Sequence, residues 1–175
     1  LGLLDGLEQV HRLGLPYANL HPGNIIFQNH DLNSPKLCLA DFNPDYLVDT
    51  LDPERDEPFD ITFPMLFLAP ELLVGSTSQR IPACDLYSLG QTFYYLLAGE
   101  TSLRFSSEID TLDRIRRFTM LVQSEPIPLQ ERAPLIHPGL AAVVDRAVKK
   151  HPVERFQSLD EFRSALQQAR NTACK

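Results

Sequence analysis

The run ACDLYSLGQTFYYLLAG, residues 83–99, is apolar on nearly every face when wound as a helix. A surface helix carries one apolar stripe, so a segment hydrophobic all round is predicted to lie at the centre of its lobe. Gly99 reads as its stop. Other elements must cover such a helix, and the flanking sequence supplies mostly helices. C-terminal to it, helices are predicted at roughly 108–122, at 139–150 after Pro138, and at 158–170, where Ser158 and Glu161 have capping-box spacing. At the N-terminal end Leu3, Leu4, Leu7, Val10 and Leu13 recur at helical spacing over residues 1–13, with Gly14 as the stop. NIIF (24–27) and KLCLA (36–40) flank the polar turn QNHDLNSP and read as a small hairpin. Residues 43–68 hold Pro44, Pro53, Pro58, Pro64 and the acidic stretch DPERDE without sustained periodicity. An irregular segment of that length inside a compact domain is usually functional or disordered.

Composition narrows the function classes. The chain has 175 residues, 43% hydrophobic and 22% charged, enough for one sizeable core. A net charge of -7 argues against nucleic acid or an anionic membrane as partner, because neutralising phosphates takes clustered Lys and Arg. No apolar run approaches the roughly 20 residues needed to cross a bilayer. No basic stretch leads into a signal-peptide core either, so a cytoplasmic location is expected. Cys38, Cys84 and Cys174 are odd in number and far apart, which suggests neither a disulfide framework nor a paired zinc motif. The five histidines lack metal-ligand spacing. The segment from Leu1 reads as a helix already under way, the back half of a larger unit.

Chemistry enters with GLPYANLHPGNIIF, residues 14–27. Asn24 and Asp41 flank the predicted hairpin, and two oxygen-bearing side chains at one end of it can hold a hard cation such as Mg2+. A lone Asn and a lone Asp equally serve turns and caps. Spacing alone does not choose between the two.

Five segments occur in an order that does choose: YANLHPGN, LADFN, LAPELL, DLYSLG and HPVERFQS. They resemble, in turn, the catalytic loop HRDLKPEN, the metal-binding DFG, the APE motif, the D-x-[WY]-S-x-G of the central helix and the Arg-containing motif near the end of the C-terminal lobe of protein kinases. The closing HPVERFQSLDEFRSAL is most similar to bacterial, eukaryotic-type Ser/Thr kinases. The resemblance implies a mainly α kinase C-lobe over residues 1–170, with a small β-hairpin carrying the catalytic and metal-binding loops and a tail at 171–175. It becomes an α+β kinase fold when complete.

Residue by residue, the resemblance places Asn24 and Asp41 at the two metal-binding positions. Asn43 stands for the glycine of DFG, and Asn tolerates left-handed backbone angles. Asn19 occupies the position of the aspartate base, and a neutral amide does not take up a hydroxyl proton. Ala18 replaces the arginine that pairs with a phosphorylated activation segment, and Pro64 stands where a threonine precedes APE, so phospho-switching of the usual kind is not expected. His21 takes the place of the catalytic-loop lysine. LHPGNI also resembles the loop H-G-D-L-H-P-G-N of aminoglycoside-phosphotransferase-type kinases, which keep a histidine there. Glu71 and Arg155 resemble a buried ion pair tying the activation segment to the last helices. Asp85 is expected to hold the catalytic-loop backbone, and Tyr17 and Phe42 to stack in a regulatory hydrophobic column. The acidic residues 52–60 fall where kinases place the activation loop, as a solvated loop or a docking element.

The function implied is a pseudokinase-like signalling module that binds protein partners or acts by allostery. The alternative is an active, atypical Ser/Thr protein kinase relying on positioning and metal electrostatics. A small-molecule kinase is disfavoured, since LAPELL and DLYSLG have no counterpart expected there. Neither a glycine-rich loop nor a following V-A-x-K lies in these residues, so Mg-ATP binding is expected only with a small N-lobe.

Overall fold

The computed structural model describes residues 2–29, 36–42, 63–74, 82–103 and 114–173. Its elements are α1 (Gly2–His11), β1 (Ile25–Phe27), β2 (Leu37–Leu39), α2 (Pro70–Val74), α3 (Pro82–Ala98), α4 (Arg114–Gln123), α5 (Leu129–Arg132), α6 (Pro138–Ala147) and α7 (Leu159–Ala173). Short 3-10 turns lie at Pro22–Asn24, Phe63–Phe67 and Pro152–Glu154.

α3 is the axis of this helical lobe. Leu86 and Leu89 pack with Leu4 and Leu7 of α1 and with Phe156 and Phe162, while Cys84 and Tyr87 join Met65, Leu72 and Leu121 on another side. Most of its buried polar side chains are paired, while the Tyr94 hydroxyl is buried without a hydrogen-bond partner among the described residues. Ser88 and Thr92 donate to carbonyls one turn back at 3.2 and 2.8 Å, and the Gln91 amide donates to Tyr87 Oη at 2.9 Å and Ser102 Oγ at 2.7 Å. Such pairing offsets the cost of enclosing polar side chains in the middle of the lobe. At Gly90 a Cβ would lie 2.6 Å from the Ala147 Cβ, so glycine sets how closely α3 approaches α6. The helix ends at Gly99, whose φ of +77° is open to a residue without a side chain.

β1 and β2 pair antiparallel, Ile25 opposite Leu39, Ile26 opposite Cys38 and Phe27 opposite Leu37. The hairpin lies on α1, with Leu37 against Gly2 and Leu39 against Gly6. Arg163 of α7 bonds Asp5 at 2.6 Å and Glu8 at 3.2 Å, closing the last helix onto the first. Ser158 Oγ accepts the Glu161 N–H at 3.1 Å, but Glu161 reaches back to the N–H of Gln157 at 2.7 Å and not to that of the cap residue. Half of the expected capping box therefore forms, and the other half shifts by one residue.

Three further differences concern length. α1 ends at His11, α6 at Ala147, and α7 continues to Ala173. The helices α2 and α5 were not expected, because five and four residues are too few to display a 3.6-residue period. Residues 108–113 and 43–62 lie outside the described residues.

Candidate functional site

The loop from Pro16 to Asn24, joining α1 to the hairpin, meets residues 40–42 as they leave β2. Asp85, fully buried in the first turn of α3, fixes the loop from below. Its Oδ2 accepts the Tyr17 N–H at 2.7 Å and its Oδ1 the Ala18 N–H at 2.8 Å. Ala18 has φ +60°, a left-handed conformation that costs an L residue roughly 1–2 kcal/mol. Two bonds to a charged acceptor, at about 1.5–3 kcal/mol each, outweigh that cost. His11 Nε2 lies 2.7 Å from Asp85 Oδ2, a partner that sequence reasoning missed. A lone histidine near the end of an amphipathic helix carries no signal of a carboxylate 74 residues away.

Above this anchor the site side chains gather. Asn19 Nδ2 lies 3.2 Å from Asp41 Oδ2 and 3.2 Å from the Asp41 carbonyl oxygen. Asn24 Nδ2 donates to the Asn19 carbonyl at 2.9 Å, and the Ala40 N–H donates to the Asn24 carbonyl at 2.9 Å. Asn19 and Asn24 are buried, and Asp41 adopts φ +55°. The Tyr17 hydroxyl donates to the Ala40 carbonyl. Burial, with the nearby Asp41 charge as the second cause, pushes that phenol up to about 12. The Tyr17 and Phe42 rings stand 5.9 Å apart, Tyr17 buried and Phe42 half-exposed.

His21 is turned into the loop. Its Nδ1 accepts the Gly23 N–H at 3.1 Å, capping the 3-10 turn, and its ring lies 6.3 Å from that of the buried Phe67. Burial lowers its basicity, and the Asp41 charge only partly opposes this. An Nδ1 that accepts a hydrogen bond belongs to the ring form carrying its proton on Nε2, and burial disfavours a second proton.

Glu71 and Arg155 form a two-pronged bridge at 2.7 and 2.8 Å. Arg155 is fully buried and also donates to the carbonyls of Ala83, Lys149 and Lys150, with its guanidinium 4.8 Å from the Tyr87 ring centre. It ties α2 to α3 and to the stretch after α6. Asn43 and the acidic residues 52–60 lie outside the described residues.

The donor set at the loop pair suits a hard cation in kind: a carboxylate on Asp41 and an amide oxygen on Asn24. Among the described residues no group of three His, Cys, Asp or Glu side chains gathers to hold a metal. A cation here would rest on Asp41 and Asn24 together with oxygens from a ligand.

Comparison with known proteins places the chain. The protein kinase domain model matches residues 1–169. Serine/threonine-protein kinase C of Synechocystis is 29% identical over 170 residues, which are 95% of this chain and 28% of that protein. Serine/threonine-protein kinase Pkn1 of Myxococcus xanthus is 30% identical over 94% of this chain and 22% of its own length. This chain thus spans less than a third of those relatives. Among solved structures, the PknI kinase domain of Mycobacterium tuberculosis superposes with a TM-score of 0.62 at 23% identity, covering 95% of this chain and 52% of that one. The apo form of PpkA-294 gives 0.65 at 23% identity, over 94% and 51%. The helical lobe with its single hairpin is a kinase C-lobe fold, and the chain belongs to the protein kinase domain family.

Proposed function

We propose that this chain is the C-lobe of a protein-kinase-fold signalling module with little phosphotransfer, acting on protein partners by binding or allostery. The Asn19 side chain carries this reading. Its neutral amide, at the base position, directs N–H donors at Asp41 and has no lone pair on nitrogen with which to take up a hydroxyl proton. His21 removes a second chemical element. Buried and committed at Nδ1 to Gly23, it does not supply the fixed positive charge of a lysine beside a transferring phosphate.

Asn24 and Asp41 are the residues that would hold Mg2+, which when bound neutralises charge on the phosphate oxygens. The protein groups orient the loop around that position, Asn24 through Asn19 and Asp41 through β2. Nucleotide binding further requires a phosphate-cradling loop and an anchoring lysine from a small lobe, so residues 1–175 alone bind Mg-ATP weakly or not at all. Calorimetry on this segment checks that expectation. Among the described residues no helix is long and apolar enough to cross a membrane, and with a net charge of -7 a cytoplasmic protein surface suits the chain better than nucleic acid.

The test is a radiolabelled-ATP assay on the full-length protein. Trace transfer is expected from the parent, and Asn19→Asp is expected to raise it by ~10²–10⁴-fold, the usual size of a general-base contribution. Robust parent activity that Asn19→Asp leaves unchanged favours a second reading, an atypical active Ser/Thr kinase. Its support is that both oxygen donors, Asn24 and Asp41, are retained and that positioning and electrostatics dominate phosphoryl transfer.

A further inference from the structure

Asn19 does more than leave a base out. Its Nδ2 stands 3.2 Å from both the carbonyl oxygen and Oδ2 of Asp41, so one carboxamide grips the main chain and the side chain of the same residue. That residue sits at φ +55°, a region non-glycine residues occupy only when their surroundings hold them there. Asn19 is itself secured, 4% exposed and with its carbonyl bonded by Asn24 Nδ2 at 2.9 Å. Asn24, Asn19 and Asp41 thus form a run of hydrogen bonds between the two loops.

A carboxylate at position 19 makes neither bond, because it has no hydrogens. It also sets a second negative charge against the exposed Asp41 carboxylate, a like-charge contact that a proton or cation between the two relieves. The amide removes that requirement.

We infer that Asn19 is a positioning residue that gives Asp41 a hydrogen-bond donor in place of a divalent cation, so that the two loops hold their arrangement without metal. This rests on the reading of Asn19 as a group other than a base. In the full-length protein, without nucleotide, thermal unfolding is followed in EDTA and in millimolar Mg2+ for the parent, Asn19→Asp and Asn19→Ala. The parent melts at the same temperature in both. Asn19→Asp melts lower in EDTA, by about 2–4 °C, and regains stability with Mg2+. Asn19→Ala also melts lower in EDTA and regains part of the loss with Mg2+, but falls less than Asn19→Asp, since it loses the donor without adding a charge. A parent whose melting rises with Mg2+ in a way that Asp41→Asn abolishes, or an Asn19→Asp that melts like the parent in EDTA, overturns the inference. Should Asn19→Asp not fold, Mn2+ titration followed by electron paramagnetic resonance decides. Without nucleotide, equal binding by the parent and Asp41→Asn supports it, and a Mn2+ held by the parent and lost in Asp41→Asn refutes it. Phosphotransfer by the parent, with the melts as expected, sinks only the pseudokinase reading.

Discussion

The Glu71–Arg155 bridge and the Asn19–Asp41 contact each join distant stretches of the chain through one acidic side chain, yet they are partnered in opposite ways. At the bridge a buried guanidinium meets the carboxylate with two bonds and spends its remaining donors on three carbonyls. At the loop pair a neutral amide meets the carboxylate, and burial disfavours charge on the nearby histidine. Opposite charge holds the helices together at the bridge, whereas among the described residues Asp41 meets an amide and no cationic side chain. The lesson is that the architecture of this fold and its reaction depend on separable sets of residues, as expected when function resides in sites grafted on folds.

That contrast can be broken by mutation, and the bridge should respond most. Glu71→Ala or Arg155→Ala is expected to cost ~3–5 kcal/mol, the range for stranding one member of a buried pair. Arg155→Ala should be the worse of the two, because it also leaves the Ala83, Lys149 and Lys150 carbonyls without that donor. Thermal melts that match the parent would remove the bridge from the list of structural supports.

Next in size is the anchor under the loop. Asp85→Asn exchanges one acceptor oxygen for a donor facing backbone N–H groups, and should cost about 1.5–3 kcal/mol in a urea titration. Asp41→Asn should cost less, since its amide oxygen still accepts from Asn19. Equal losses for the two would erase the distinction between an architectural and a chemical carboxylate.

Ser158→Ala sharpens the lower end of the scale. Loss of the cap at the start of α7 should cost ~0.5–2 kcal/mol by the same titration, while the Glu161 contact to the Gln157 N–H stays in place.

A pH experiment probes the edge of the bridge. Lys150, whose Nζ donates to the Leu121 carbonyl at 2.7 Å, is pushed down from 10.5 to about 8 by burial, with Glu125 opposing. Between those values the unfolded chain binds a proton that the folded chain does not, so this group's contribution to stability rises with pH from about 8 to about 10.5. Measured as a difference from Lys150→Met, which removes the titration, the parent's relative stability should climb through that window. A flat difference would place the ammonium in water.

The elements that were legible are those whose signal is periodic or locally punctuated. The enclosed helix α3, the amphipathic α1 and α7 and the short hairpin each show their period within one segment, and Gly99 marks an end by its backbone freedom. α2 and α5 are too short for a period. They exist because Leu72 and Leu73 enter the core beside α3 and Leu129 enters the one around Tyr94, which is a property of packing.

The site divides along the same line. Which residue types stand at the base, lysine and metal positions that the kinase resemblance implies is a matter of sequence alone, since Asn19 has no carboxylate, His21 no permanent charge, and Asn24 and Asp41 keep their oxygens. What those residues do was decided by the tertiary structure. Only the folded loop turns the Asn19 amide onto Asp41, buries His21 as a cap on Gly23, and brings His11 to Asp85. The physical reason is that a side chain's chemistry is local, whereas its charge state and its partner depend on burial and on groups that may lie more than 70 residues away along the chain, as Asp85 does from His11.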